Sequence, residues 1–297
     1  MTAAATPFLA RAERFASVGS TNDVVRAWLR EGTPEVCLAV ADEQTAGRGR
    51  EGRTWVAPPG AALLQSIGFR PTYLAPERAW RLAATVALAM ADAAEEAAGL
   101  PDLSIRLKWP NDLVVVTAGE DALLVGELDP MKAAATLQGP IALRKLGGVL
   151  GESEGLGTAD PRVVVGIGVN ADWPARDFPV ELATTMTSLH EASGGRPIDL
   201  ALLHDGFTGR LEARIEALRA GFFDLATWLA RQVTTGHDVA LQTERGVEIV
   251  RALGLDAATG ALVVADDGAA AGERLVHAGD IVHLRLAPAA ADAAAGV

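Results

Sequence analysis

GRGREGRTW, residues 47–55, carries glycines at 47, 49 and 52 and so matches G-x-G-x-x-G, the letters that open a dinucleotide-binding fold. That fold needs a helix to start inside the loop, with its N-terminus meeting a pyrophosphate. Here the loop runs into residues 54–60, which contain Pro58 and Pro59 and no helical spacing of apolar side chains. The doubly wound reading fails at this point. What remains is a glycine-rich loop that sets Arg48, Arg50 and Arg53 against a single acid, Glu51. Glycines let backbone amides approach a ligand, and guanidinium forks hold carboxylate or phosphate, so the loop points to an anion; a solvated basic loop is the alternative. Three like charges and no apolar residue before Trp55 predict a segment that is mobile until a ligand closes it.

Outward from the loop, Ser20-Thr21-Asn22 supplies capping side chains ahead of Val24, Val25, Trp28 and Leu29, which share one helical face ending at Gly32. The apolar run 36–41 predicts a strand feeding the loop, and 63–69 another leaving it. A helix is expected over 77–98, through Leu82, Val86 and Met90. Short strands follow at Ile105 and Leu107, at 113–116 and at 146–150. RVVVGIGVN, 162–170, is the most strongly β-branched run. Helices are expected over 199–220 and 224–232. After Thr234-Thr235-Gly236 the strands DVALQT, VEIVRAL, ALVVA and DIVHLRL, separated by turn residues, suggest a small all-β domain. The tail from Ala287 is low in complexity, and 288–297 is expected to be disordered.

The chain has 297 residues, 49% hydrophobic, enough for one or two cored domains. Its net charge of −12 argues against binding nucleic acid. One cysteine, Cys37, allows no intrachain disulfide, and five histidines without ligand spacing offer no zinc site, which fits a cytoplasmic protein. The charge-free stretch 54–69 is too short and too broken to span a bilayer, and the N-terminal residues do not read as a signal peptide. No membrane association is expected.

Three further stretches could carry chemistry. KWPND, 108–112, ends a strand in a proline-fixed turn that could aim Lys108 or Asp112 into a pocket; by itself it is only a turn. KLGGVL, 145–150, sets Lys145 before a glycine-containing strand where a ligand or second backbone could approach, or it is a lysine flanking a buried strand. GIGVN, 166–170, ends a core strand on Asn170, either a nucleotide contact or a simple turn.

Taken in order, STN at 20–22, EQTAGRGREGRTW at 43–55, KWPND, KLGGVL, GIGVN and TSLHEASG at 187–194 resemble the catalytic domain of the biotin protein ligases, or biotin–[acetyl-CoA-carboxylase] ligases. The resemblance implies an α+β fold: a mixed β-sheet catalytic domain with helices, of the class II synthetase-like, biotin/lipoate ligase type, over 1–233, plus a small C-terminal SH3-like β-barrel over 234–287. It implies an enzyme that uses ATP and Mg²⁺ to activate biotin as biotinyl-5′-AMP, then passes it to a lysine of a biotin carboxyl carrier domain, working as a monomer or homodimer. Ser20, Thr21, Asn22, Gln44, Arg48, Gly49, Arg50, Lys145 and Gly148 would hold biotin. Arg50, Arg53, Trp55, Lys108, Asn111, Lys145 and Asn170 would hold the nucleotide. Lys145 and Arg50 would be catalytic, and Asp112 a metal ligand. Ser20 and Thr21 could instead cap their helix, and Trp55 could be a core indole.

Two features depart from the family pattern. Residues 117–143 are inserted between KWPND and KLGGVL, and a passive extension of two paired strands is expected there. The nineteen residues before Ser20 leave no room for a helix-turn-helix domain, which disfavours a DNA-binding regulator. GRGR with KWPND favours biotin over lipoate.

Overall fold

The computed structural model describes residues 8–116, 142–243, 246–266, 272–278 and 283–286. Residues 117–141 of the inserted segment 117–143 and the terminal 288–297 lie outside them.

β1 (Arg11–Phe15), β2 (Cys37–Ala41), β3 (Ala62–Phe69), β4 (Ile105–Lys108), β5 (Asp112–Val116), β6 (Leu143–Glu154) and β7 (Arg162–Asn170) form one mixed sheet. Its order is β1-β2-β3-β7-β6-β5-β4, with β1 and β2 parallel and the other pairs antiparallel. β6 is longer than the expected 146–150 because its ends still pair, Leu143 with Val116 and Glu154 with Arg162. The strands flanking the insertion therefore remain partners up to its edge.

Side chains alternate across a strand, so each strand feeds two faces. One face buries Leu38, Leu63, Ile67, Val165 and Ile167 beneath α2 (Trp80–Ala98), whose apolar side also packs on the later helix Leu200–Arg219. α3 (Leu189–Ala192), α4 (Leu200–Arg219) and α5 (Leu225–Ala230) follow the sheet in sequence. Asp199 caps α4 by accepting from the amides of Ala201 and Leu202, and Asp224 caps α5 from that of Thr227. The other face carries α1 (Thr21–Arg30), which buries Val25, Trp28 and Leu29 against Cys37, Ala39 and Val164. α1 packs on β2, β3 and β7 and reaches β6 through its polar side chains, Asn22 and Arg26 meeting Glu152.

β8 (Asp238–Thr243), β9 (Gly246–Leu255), β10 (Leu262–Asp266), β11 (Gly272–Val276) and β12 (His283–Leu286) make a small antiparallel sheet in the order β11-β10-β9-β8-β12. Its core of Val239, Leu241, Val250, Ala252, Leu262, Val264 and Val276 includes Trp109 of KWPND. The Trp109 indole donates to the Gly260 carbonyl at 3.0 Å, and its amide donates to Thr234 Oγ1 at 2.9 Å. KWPND is thus also where the small sheet fastens onto the large one.

Candidate functional site

Strand register gathers the motifs. Residues paired across neighbouring strands share a face, and one row runs Leu64, Gly168, Gly148, Asp112 and Lys108 across β3, β7, β6, β5 and β4. The row lies on the face that α1 leaves partly open. Two glycines at its centre make a trough where side chains from elsewhere can lie.

Trp55 occupies one side of that trough. A Cβ on Gly168 would stand 2.9 Å from the indole, so only glycine admits the ring there. Likewise a Cβ on Gly166 would overlap Asn22 Oδ1. The glycines of GIGVN therefore make room for Trp55 and Asn22. Asn170 lies outside the cavities described below: it is buried and donates to the Thr187 carbonyl at 2.9 Å, where a nucleotide contact was expected.

Lys145 extends over the second glycine, with Nζ 3.5 Å from the Gly148 Cβ position and 5.7 Å from the Trp55 ring centroid. Its backbone is pinned on both sides, the amide donating to Thr185 O and the carbonyl accepting from the Thr187 amide, each at 2.8 Å. That is the structural work of the first residue of TSLHEASG. Asp112 Oδ1 lies 2.5 Å from Lys145 Nζ, and Oδ2 lies 3.6 Å from Lys108 Nζ. Burial opposes ionisation of Asp112, but Lys145 and Lys108 outweigh it and hold the carboxyl below its ordinary value. Burial pushes the Lys108 ammonium down, with Asp112 opposing.

At the other end the polar groups are already ordered. Gln44 Oε1 accepts from the Thr21 amide at 2.8 Å and from Thr21 Oγ1 at 3.1 Å, so Gln44 caps α1, and Ser20 makes no side-chain cap bond. Thr21 Oγ1 meets Ser66 Oγ at 2.7 Å, Ser66 donates to Asn22 Oδ1 at 2.6 Å, and Asn22 Nδ2 donates to Glu152 at 2.6 Å. Ser66 and Glu152 lie in strands whose apolar spacing gave no sign of a polar relay.

The arginine-glycine loop lies along the trough and carries backbone pairing of its own. Arg48 and Thr54 form an antiparallel bridge, the Trp55 amide donates to Gly47 O at 2.9 Å, and the Gly49 amide to Arg53 O at 2.6 Å. Arg48 reaches α1, and Arg50 donates to Ala278 O just after β11. Burial pushes the Arg50 guanidinium below its ordinary value.

Two cavities result. One, about 270 Å³, is lined by Ser20, Thr21, Asn22, Gln44, Arg48, Gly49, Arg50, Arg53, Trp55, Asn111, Lys145 and Gly148, together with Leu182, which the sequence did not suggest. The second, about 310 Å³, lies between the sheets and takes in Lys108, Asp112 and Trp109. Arg50 and Asn111 line both. Asp112 does not fit a metal ligand: each carboxylate oxygen faces an ammonium, and no group of three or more acidic, histidine or cysteine side chains with metal-binding geometry occurs among the described residues.

The site is thus a two-lobed, cation-lined trough beneath an arginine-glycine loop on a mixed sheet. Residues 15–170 match the biotin/lipoate A/B protein ligase family, and the chain belongs to that family. It is similar to a biotin–[acetyl-CoA-carboxylase] ligase of Mycobacterium tuberculosis, with 31% identity over 273 residues covering 91% of this chain and 88% of the relative. It is also similar to the bifunctional ligase/repressor BirA of Bacillus subtilis, 28% identical over 241 residues and 80% of this chain; the match spans 65% of that relative's length. Among solved structures, the biotin protein ligase of Aquifex aeolicus in complex with biotin and ATP has the same fold, with a TM-score of 0.68 at 23% identity over 93% of this chain and 99% of that one. No helix among the described residues is long and apolar enough to cross a membrane.

Proposed function

We propose that this chain is a biotin–[acetyl-CoA-carboxylase] ligase. It joins the biotin carboxylate to the α-phosphorus of ATP, releases pyrophosphate, and holds biotinyl-5′-AMP until an acceptor lysine of a biotin carboxyl carrier domain takes the acyl group. A carboxylate oxygen forms the new P–O bond while the bond to pyrophosphate breaks and pyrophosphate leaves with the electron pair. In the second step the neutral acceptor amine attacks the acyl carbon, AMP leaves, and the amine's proton is lost.

The observation that carries this reading is the position of Lys145, tied to Asp112 where the two cavities adjoin. Two anions meeting there repel, and a fixed ammonium stabilises the charge that gathers on the α-phosphate. Arg50, which lines both cavities, supports the same charge. Ser20, Thr21, Asn22 and Gln44 form the polar end suited to the ureido ring of biotin, and Gly148 lines the same cavity. Trp55, whose Nε1 has no partner among the described residues, lies beside the nucleotide with Arg53, Asn111 and Lys108. Mg²⁺ would arrive on the triphosphate and neutralise it.

We read residues 1–233 as the catalytic domain and the small sheet within 234–287 as the family's SH3-like domain, supported by its order in the chain and its contact with Trp109. Cytoplasmic location is supported by the single buried cysteine. Pyrophosphate release measured with biotin and with lipoate tests the function. Biotin should support release and lipoate should not; equal rates, or release with lipoate alone, would overturn the reading.

A further inference from the structure

The polar end of the first cavity is short of one hydrogen. Gln44 Oε1 accepts from the Thr21 amide at 2.8 Å, which fixes it as an acceptor, and it also accepts from Thr21 Oγ1 at 3.1 Å. Thr21 Oγ1 meets Ser66 Oγ at 2.7 Å, and Ser66 Oγ meets Asn22 Oδ1 at 2.6 Å. Three oxygen–oxygen contacts thus share two hydroxyl hydrogens, one from Thr21 and one from Ser66. Thr21, Asn22 and Ser66 are all buried, so an oxygen left without a donor here is costly.

Turning the Asn22 amide over would supply the missing hydrogen, because Nδ2 would then face Ser66. Glu152 opposes that turn. Asn22 Nδ2 donates to Glu152 Oε2 at 2.6 Å, and a turned amide would set its oxygen against the carboxylate. Glu152 is itself fixed from two sides, by Arg26 at 2.6 Å from Oε2 and by Arg48 at 3.7 Å from Oε1. The deficit can instead be met from the cavity, which Thr21 and Asn22 both line. A ligand N–H given to Asn22 Oδ1 releases the Ser66 hydrogen to Thr21, and every acceptor is then served. A ligand oxygen in that place brings no hydrogen and leaves the gap.

We propose that Glu152 is a positioning residue that sets the polarity of this end: by holding the Asn22 amide, it makes the site demand an N–H donor from its ligand. The inference deepens the biotin reading and rests on it, since the ureido ring carries two N–H groups.

Calorimetric titration of the full chain tests it, with biotin and with the isosteric cyclic carbonate in which both ureido N–H groups are ether oxygens. The parent should bind biotin about a hundred-fold more tightly, the cost of a buried acceptor left unserved. Glu152→Gln frees the Asn22 amide to turn, since a glutamine can donate to Oδ1, and the relay then completes itself without a ligand. Biotin should bind this variant about ten-fold more weakly and the carbonate within about two-fold of the parent, so the preference shrinks to about ten-fold. In an Asn22→Ala background, Glu152→Gln should change nothing further, whereas a role exerted through Arg26 or Arg48 would persist there. Thermal unfolding checks the fold; should Glu152→Gln not fold, Asn22→Ala decides alone, because it must lose the preference. The proposal is overturned by a parent that binds both ligands alike, by an undiminished preference in Glu152→Gln or Asn22→Ala, or by equal weakening of biotin with and without Asn22. A parent that binds biotin but releases no pyrophosphate from ATP would sink the ligase reading alone, and one that binds no biotin would sink both.

Discussion

Asp112→Asn removes the charge that holds Lys145 while keeping the side chain's shape. The Asp112 side chain is 15% exposed and that of Lys145 35% exposed, with 2.5 Å between Oδ1 and Nζ. Removing one partner of a fully buried pair costs ~3–5 kcal/mol, whereas an exposed pair is worth ~0–1 kcal/mol. One partner here is buried and the other screened by water, which places the loss at roughly 2 kcal/mol, or about thirty-fold in rate. The loss should fall on kcat for biotin-dependent pyrophosphate release and spare KM for biotin, because the polar groups around Ser20 lie at the other end of the trough. Lys108 and Lys145 would also be left to repel each other across a neutral amide. The assay is steady-state pyrophosphate release across a wide range of Mg²⁺ concentrations. A rate within about three-fold of the parent would show that something else positions Lys145. Recovery at high Mg²⁺ would show that Asp112 is a metal ligand after all, and the reasoning from its two ammonium partners would fail.

The same pair carries a pH signature. Asp112 is held below its ordinary carboxyl value in the folded chain, so the unfolded state binds the proton first as pH falls. Its contribution to stability is complete above about pH 5, and is lost as pH falls below ~4 through the lowered folded value. The denaturation midpoint of the parent should therefore exceed that of Asp112→Asn at neutral pH and converge on it in acid.

Lys145→Ala should lower biotin-dependent pyrophosphate release by two or more orders of magnitude, since one charge-directed contact in a closed site is worth ~3 kcal/mol; activity within about three-fold would mean another cation serves. Gly168→Ala places a Cβ 2.9 Å from the Trp55 indole, so the ring must move: tryptophan emission should shift and activity should fall about ten-fold or more, and a variant with parental emission and rate would refute the packing argument. Burial pushes the Cys37 thiol up to about 11, so a thiol reagent near pH 8 should label it only after unfolding; prompt labelling of the native protein would contradict that burial.

How far the fold could be read depended on what each strand buries. RVVVGIGVN and the run at 63–69 form β7 and β3, the sheet's centre, where apolar residues on both faces leave a dense signal. RAERF gave none. It forms β1, an edge strand exposed at Ala12, Glu13 and Arg14 that is held by backbone pairing to β2. GERLV went unread for the same reason, as the edge strand β11. An edge strand with so little apolar content leaves no periodicity to find, whereas the edge strands β4 and β12, with Ile105, Leu107, Leu284 and Leu286, were read.

The candidate site was legible as a set of motifs but not as an arrangement, because its geometry comes from register. Gly148, Gly168 and Asp112 are distant in sequence yet occupy consecutive positions of one cross-strand row. Glycines in motifs invite a ligand reading, and here the test is what a Cβ would meet: the indole at Gly168 and an asparagine oxygen at Gly166. Each of these two glycines accommodates a side chain of another motif, so the motifs depend on one another physically. Asp23 and Glu152 fell outside every motif, since a surface acid on a helix and one at a strand's end have nothing local to mark them. One partner they share is Arg48, 25 residues beyond Asp23 in sequence and joined to it by two hydrogen bonds. An arginine in a motif can answer to the chain's own carboxylates as well as to a bound anion, and Arg48 meets both Asp23 and Glu152 while it lines the cavity.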